Sequence, residues 1–273
     1  MKSSEVLGAL EATSRTFFLP VMRLSGGLQE AVASAYLCLR AIDEVEDHPT
    51  LPAPDKARLL RAVSRHLQAQ TSLERFDPAP LRSVLQDFDG LLPAVTMQLA
   101  EWACRAPAPI APRIWEAAAA MADRMADWAE SGWSIQSQAD LDRYTFSVAG
   151  AVGILLCDLL AFFEGVQVDR SMAVLFGRGL QLVNILRNRS EDVRRGADFF
   201  PPGWNHDQVA AYAARCLAEA DAYAHTVSSR AFRVMVAIPL SLAQATLEAL
   251  RRGEEKLSRA AVLSLVQQAD AEA

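Results

Sequence analysis

Two stretches far apart in the chain carry side chains that could bind a cation. The first spans residues 36–47 with the sequence YLCLRAIDEVED, in which Asp43 and Asp47 are four residues apart. On an α-helix this spacing places both carboxylates on one face, with Glu46 beside them. Arg40 precedes Asp43 by three residues, so it could pair with that carboxylate. The stretch therefore offers the carboxylate oxygens that Mg²⁺ prefers in proteins.

The second stretch spans residues 181–192 with the sequence QLVNILRNRSED. Its amide and carboxylate side chains follow the spacing i, i+3, i+7 and i+11, and they are Gln181, Asn184, Asn188 and Asp192, bordered by Arg187 and Glu191. This spacing forms a single stripe along a helix. Two such stripes facing each other across a helical bundle could hold Mg²⁺ together with a substrate phosphate, because Mg²⁺ commonly keeps phosphate oxygens among its ligands.

Each stripe also has a structural interpretation. An acidic helix face can simply be solvated, and an ion pair with Arg40 could serve packing alone. However, residues 31–39 are nearly all apolar, and a carboxylate that emerges from a buried helix is costly unless it is paired or bound to a metal. Gln181 and Asn184 likewise lie in a buried-looking apolar run, residues 180–186. We therefore favour cation binding, while a structural ion pair remains open.

The composition predicts helices that position these stripes. The chain is 51% hydrophobic, is rich in Ala and Leu, and has only 13 Gly and 13 Pro in 273 residues, which favours an all-α protein. A helix is expected through Asp47, ended by His48-Pro49. Ser137, Asp169 and Asn205 are expected to cap later helices. No segment shows the alternation of a strand, so we predict one all-α domain, residues 1–273, with about ten helices.

Charge and cysteine usage limit the partners and the compartment. A net charge of −6 argues against nucleic acid as the main partner. The four cysteines are scattered without a C-x-x-C spacing, as expected for reduced core cysteines. The first 15 residues are too polar and acidic for a secretory signal. The apolar run 146–163 contains Asp158, so a buried central helix is favoured over a membrane span. A cytoplasmic protein without a membrane span is expected.

Several ordered motifs together resemble the squalene and phytoene synthase family. They are SRTFF at 14–18, YLCLRAIDEVED at 36–47, YTFSVAG at 144–150 with Gly153, NILRNRSED at 184–192, FFP at 199–201 and VAIP at 236–239. The resemblance covers roughly residues 10–255, and the last motif is closer to the squalene branch. Several motifs in the same order are far more specific than any one of them.

The resemblance implies an isoprenoid-synthase fold, with helices around a central cavity, that ionises an allylic prenyl diphosphate bound through Mg²⁺. The implied metal ligands are Asp43, Glu46, Asp47, Asn184, Asn188 and Asp192. The implied diphosphate-binding residues are Arg15, Arg40, Arg187, Gln181 and Tyr36. Tyr144 is implied in proton transfer or cation stabilisation, with Asp43 and Asp47 as the other catalytic residues. Gly150 and Gly153 are interpreted as positions of close helix packing.

Two departures from the family pattern bear on the second substrate. The family's second motif usually begins with Asp, which is Asn188 here, and the second tyrosine of its Tyr-x-x-Tyr-Val-Ala-Gly pattern is Ser147. One negative charge is therefore missing from the second metal face. We predict a prenyltransferase that uses one prenyl diphosphate donor and a small-molecule, aromatic acceptor such as a carbazole. The alternatives are head-to-head condensation of two prenyl diphosphates and a non-catalytic scaffold, against which the retained carboxylates argue.

Overall fold

The computed structural model describes residues 3–254 and 257–272, and within these ranges the chain is helical with no β-strand. The α-helices are Ser3–Thr13 (α1), Arg15–Arg23 (α2), Gly26–Glu46 (α3), Ala53–Gln68 (α4), Ala79–Gln86 (α5), Ala94–Met97 (α6), Leu99–Ala103 (α7), Ala111–Glu130 (α8), Gln138–Thr145 (α9), Ala151–Glu164 (α10), Arg170–Arg194 (α11), His206–Ala224 (α12), Arg230–Arg251 (α13) and Arg259–Glu272 (α14). The predicted all-α class is confirmed, with more helices than expected because some are very short.

Contacts divide the chain into two compact units, Met1–Trp133 and Ser134–Ala273. In the first unit α8 packs against α3 and α4, and α3 also contacts α6 and α7. In the second unit α11 packs against α10, α12 and α13. The single domain expected over residues 1–273 stays a prediction.

Helix α3 is buried along most of its length and carries the first acidic stretch at its C-terminal end. Small residues let its neighbours approach closely, and two hydrogen bonds fix it there: Ser34 Oγ donates to the Trp102 carbonyl at 2.8 Å, and Thr96 Oγ1 donates to the Ala41 carbonyl at 2.9 Å. The helix ends at Glu46, before His48-Pro49 as predicted. Carboxylates at a helix C-terminus lie near the negative end of the helix dipole, which repels them. Their position at the end of α3 therefore does not stabilise the helix.

The predicted caps in the second unit are confirmed. Ser137 accepts a hydrogen bond from the Asp140 backbone N–H, Asp169 accepts one from Ser171, and Asn205 forms a reciprocal capping box with Gln208. The long apolar helix expected after Ser137 is interrupted by a π-helical turn, Phe146–Gly150, between α9 and α10. Single π turns inside helices occur frequently at functional sites.

Glycines allow α10 and α11 to pack backbone to backbone. A Cβ atom added to Gly153 would lie 2.4 Å from the Ala173 carbonyl oxygen, and one added to Gly177 would lie 2.6 Å from the Ala149 carbonyl oxygen. At Gly150 the nearest atoms would be 3.2 Å away. The interpretation of Gly153 as a close-packing position is confirmed, because even a methyl group would force the two helices apart.

We expect Gly153→Ala to lower the free energy of unfolding by about 1–3 kcal/mol, the usual cost of overpacking a well-packed core. Chemical denaturation of the two proteins measures the difference. Gly8→Ala in α1 is the matched control, because nothing lies within 4 Å of a Cβ atom built there. That control should be neutral or slightly stabilising, since alanine favours helix more than glycine does. Equal effects of the two substitutions would contradict the packing argument.

Two segments in the described ranges are long and apolar enough to cross a membrane by length and composition, Gln138–Glu164 and Arg230–Arg251. The most apolar windows of these segments are 39% and 50% buried inside the protein. Core helices of soluble proteins meet the same criterion, so the expected absence of a membrane span stays a prediction. All four cysteines are free, as expected, and Cys38, Cys157 and Cys216 are buried.

Candidate active site

The first acidic stretch forms a compact carboxylate cluster at the end of α3. Glu46 is buried, Asp43 is half-buried and Asp47 is exposed, and one carboxylate oxygen from each lies within 4.8 Å of the others. The predicted common face therefore exists, because the i, i+3 and i+4 spacing stacks these side chains on one side of the last helical turn.

Arg40 is oriented by two carboxylates of its own helix. Its Nη1 donates to Asp43 Oδ2 at 2.5 Å, and its Nη2 donates to Glu44 Oε1. The ion pair anticipated with Asp43 is thus present alongside the cluster. Glu44 is a partner that sequence reasoning did not single out, although its i+4 spacing from Arg40 is a signal that could have identified it.

The carboxylate cluster holds more negative charge than its surroundings neutralise. Burial and the nearby Asp47 together raise the pKa of Asp43 to about 7, while Arg40 opposes the shift. Burial likewise raises the pKa of Glu46 to about 8, with Asp47 and Asp43 adding to the shift. A divalent cation would relieve both the repulsion and the unmet solvation, so this set of oxygen donors fits a hard cation.

Two residues that sequence reasoning did not assign to the site hold Glu46 in place. Trp133 Nε1 donates to Glu46 Oε1, and Lys56 Nζ donates to the Glu46 backbone carbonyl. Lys56 is only 7% exposed, and its Nζ lies 5.1 Å from the centroid of the Trp133 ring.

Tyr36 lies one turn before Arg40 on α3 and is half-buried. Burial raises the pKa of its hydroxyl group, while the polar side chains of Ser14 and Thr13 oppose the shift. Its ring centroid lies 5.8 Å from that of Phe17. Arg15 begins α2, but its side chain lies outside the described residues, so its predicted contact with diphosphate is not addressed by the structure.

The second stretch lies on α11, in the second unit. Asp192 is buried, Gln181 and Asn188 are half-buried, and Asn184 is exposed. The buried location expected for Asn184 is therefore wrong: the helix buries Val183 and Ile185 and turns the intervening side chain to the surface.

Arginine side chains donate hydrogen bonds to the side-chain oxygens of this second stretch. Arg187 Nη2 donates to Asn184 Oδ1 at 2.8 Å, and Arg187 Nε donates to Asn188 Oδ1 at 3.2 Å. Asp192 Oδ1 accepts from Arg195 Nη2 at 2.6 Å. With one carboxylate and two neutral amides, this set of side chains fits an anion held by Arg187 better than a divalent cation. The second metal face inferred from the sequence is a prediction that the structure does not test.

Tyr144 is buried, with 4% of its surface exposed. Its ring stacks on Phe199 with centroids 4.3 Å apart and an angle of 19° between the ring planes. The π turn begins two residues after Tyr144, at Phe146, and within it Ser147 Oγ donates to the Arg143 carbonyl at 2.8 Å. Ser147 therefore satisfies the local backbone at the position where the family pattern has a second tyrosine.

A polar network fixes the helix that carries Tyr144. The Tyr212 hydroxyl donates to Asp142 Oδ1 at 2.6 Å and accepts from Arg178 Nη1 at 3.2 Å. These three residues belong to α9, α11 and α12, so the network ties α9 to the helix of the second stretch. The sequence offered no pattern that joins residues so far apart.

Comparisons with known proteins agree with these features. The family described as squalene/phytoene synthase matches residues 10–210. The chain is 32% identical to a squalene synthase of Schizosaccharomyces pombe over 203 residues, which cover 70% of this chain and 42% of that protein. It is 31% identical to a squalene synthase of Rattus norvegicus over 196 residues, which cover 70% of this chain and 45% of that protein. The chain thus aligns with less than half the length of these relatives.

Solved structures show the same fold. The structure of TcSQS in complex with the ligand BPH1237 superposes with a TM-score of 0.72 at 23% identity, covering 97% of this chain and 85% of that one. A dehydrosqualene synthase in complex with a ligand superposes with a TM-score of 0.68 at 17% identity, covering 98% of this chain and 95% of that one. The predicted isoprenoid-synthase fold is confirmed. By its sequence match and its motifs, the chain belongs to the squalene/phytoene synthase family.

Proposed function

We propose that this protein is a Mg²⁺-dependent synthase that condenses two prenyl diphosphates head to head. The observation that carries the proposal is the cluster of Asp43, Glu46 and Asp47, whose carboxylate oxygens lie within 4.8 Å of one another. Its relatives in Schizosaccharomyces pombe and Rattus norvegicus are squalene synthases, which supports this reaction over the others considered.

The aromatic acceptor predicted from Asn188 finds no support in these relatives, and the head-to-head alternative fits them better. In the structure Asn188 Oδ1 accepts a hydrogen bond from Arg187 Nε. The missing carboxylate therefore changes the surroundings of Arg187, and this effect does not involve a second substrate. The scaffold alternative is also disfavoured, because the complete first carboxylate cluster is retained.

In the proposed reaction Asp43, Glu46 and Asp47 would hold the cation. When bound, Mg²⁺ supplies positive charge that stabilises the departing diphosphate. Arg187 presents a fixed guanidinium fork, which suits phosphate oxygens better than a flexible ammonium group does. Tyr144 and Phe199 present stacked aromatic rings whose faces attract positive charge, and this suits an allylic cation kept away from water.

Incubation with a prenyl diphosphate alone tests the proposed function. We expect farnesyl diphosphate with Mg²⁺ to give a C30 product, or geranylgeranyl diphosphate to give a C40 product, together with inorganic diphosphate. Mass spectrometry of the extracted lipids and diphosphates detects either one. Parallel reactions contain dimethylallyl diphosphate and a panel of aromatic acceptors. Prenylated acceptor without any doubled product would overturn head-to-head condensation.

A further inference from the structure

Trp133 has a backbone conformation that an ordinary side chain avoids. Helix α8 ends at Glu130, and the chain then turns through Gly132 and Trp133 with φ angles of 65° and 52°. Among the described residues Trp133 is the one non-glycine residue with a positive φ. A Cβ atom is crowded in this left-handed region, where glycine is the usual choice. The turn alone therefore does not call for tryptophan, and the reason must lie in its side chain.

The indole of Trp133 contacts both a candidate cation ligand and a buried lysine. Its Nε1 donates to Glu46 Oε1, and its ring lies 5.1 Å from Lys56 Nζ, within the range of a cation–π interaction. Lys56 Nζ itself donates to the backbone carbonyl of Glu46. One residue of the cluster is thus held at its carboxylate by the indole and at its backbone by the lysine.

We propose that Trp133 is a positioning residue that fixes the Glu46 carboxylate for cation binding. Because Oε1 is held by the indole, the carboxylate cannot rotate freely, and it stays in the cluster in which one of its oxygens lies within 4.8 Å of oxygens of Asp43 and Asp47. A lysine in the same place would cancel the charge of the carboxylate. An indole N–H is a neutral donor, so it orients the carboxylate and leaves its negative charge in place. This inference rests on the cation-binding role proposed above for the cluster.

The test measures binding of Mn²⁺ by electron paramagnetic resonance, in the presence of inorganic diphosphate and without any prenyl substrate. Trp133→Phe retains an aromatic ring but loses the donor, and we expect about 10- to 100-fold weaker Mn²⁺ binding, the usual effect of removing a hydrogen bond to a metal ligand. Trp204→Phe is the matched control in a loop of the second unit, where the Trp204 ring forms a T-shaped pair with Tyr212. It should bind Mn²⁺ as the wild type does.

A double-mutant cycle separates this role from a merely structural one. If Trp133 acts through Glu46, the variant carrying both Trp133→Phe and Glu46→Gln should bind Mn²⁺ as weakly as Glu46→Gln alone. Additive losses would overturn the proposal, as would wild-type affinity in Trp133→Phe or an equal loss in Trp204→Phe. If Trp133→Phe also lost helicity or melted earlier without metal, a Trp133→His variant, which restores a ring N–H donor, should recover binding, and failure to do so would count against the proposal.

The same measurement distinguishes this inference from the proposed function. Absence of Mn²⁺ binding by the wild-type protein would overturn the cation site and the role of Trp133 together. Mn²⁺ binding that depends on Asp43 and Asp47 but not on Trp133 would overturn the positioning role alone and leave the proposed synthase intact. Mn²⁺ binding that depends on Trp133 in a protein that forms no doubled prenyl product would support the positioning role and count against the proposed reaction.

Discussion

Asp43→Asn and Asp47→Asn are each expected to lower kcat by about 10²–10³-fold, the usual loss when one preorganised electrostatic group is removed from an active site. Asparagine retains the shape and one oxygen of aspartate but removes the negative charge that attracts the cation. The measurement is the release of inorganic diphosphate from farnesyl diphosphate over a range of Mg²⁺ concentrations. Part of the loss should be recovered at high Mg²⁺, because the variant site binds the cation more weakly.

The same substitution at Asp43 should stabilise the metal-free protein at alkaline pH. Burial and the charge of Asp47 raise the pKa of Asp43 to about 7, so the folded state binds this proton more tightly than the unfolded state does. The stability of the wild type therefore falls as the pH rises from about 4 to about 7. The amide introduced by Asp43→Asn carries no charge, so this variant should melt higher than the wild type at pH 8 and show no such advantage near pH 4.

Glu30→Gln is the matched control for these variants. Glu30 lies on the same helix and is exposed, so its loss of charge should leave both the Mg²⁺ dependence and the turnover unchanged. Wild-type turnover by D43N or D47N in the presence of a chelator would show that the cluster does not hold the required cation. Equal losses in Glu30→Gln would show instead that the net charge of the protein controls the rate.

The position of the first cluster could be predicted from the sequence because it depends on local structure. Asp43 and Asp47 share a face as soon as the helix forms, and His48-Pro49 marks the end of that helix. The caps at Ser137 and Asn205 are equally local, since each side chain bonds a backbone group within the next turn. Motifs of this kind need no tertiary information, and the structure has them where the sequence indicates.

The residues that orient the cluster could not be predicted, because their contacts are far apart in the chain. Trp133 and Glu46 are separated by 87 positions, and no local pattern links an indole to a particular carboxylate. The π turn after Tyr144 was missed for a different reason. Its sequence, FSVAG, has ordinary helical composition. The close packing of this turn against α11, where a Cβ atom built on Gly177 would lie 2.6 Å from the Ala149 carbonyl oxygen, is a tertiary feature that no local pattern indicates.

The departure from the family pattern at Asn188 is real, but the aromatic acceptor predicted from it has no support in the relatives. The sequence showed that the second motif has one carboxylate fewer than the family pattern, and the acceptor prediction rested on that missing charge together with Ser147 at the position of the family's second tyrosine. The structure adds that the Asn184 and Asn188 oxygens both accept from Arg187. Two neutral amides orient a guanidinium group without neutralising it, so the missing charge leaves Arg187 more positive towards an incoming phosphate.

Arg187→Ala should therefore lower kcat/KM for the prenyl diphosphate by about 10²-fold, since a hydrogen bond to a charged group contributes about 1.5–3 kcal/mol. Arg187→Lys retains the charge but loses the planar fork, so its loss should be smaller. Because Arg187 is exposed, its removal should change the melting temperature little. Steady-state kinetics at saturating Mg²⁺ measures both effects.

Arg194→Ala is the matched control, because Arg194 is an exposed arginine on the same helix. Its Nε donates to the Ser190 backbone carbonyl at 3.0 Å, one turn earlier in that helix. It should behave as the wild type, and a loss equal to that of Arg187→Ala would show that the effect comes from the general surface charge.

The Asn188→Asp variant tests the role of the amide itself. A carboxylate there would pair with Arg187 and should raise KM for the diphosphate without changing the Mg²⁺ requirement, whereas a lower Mg²⁺ requirement would assign Asn188 to a second cation.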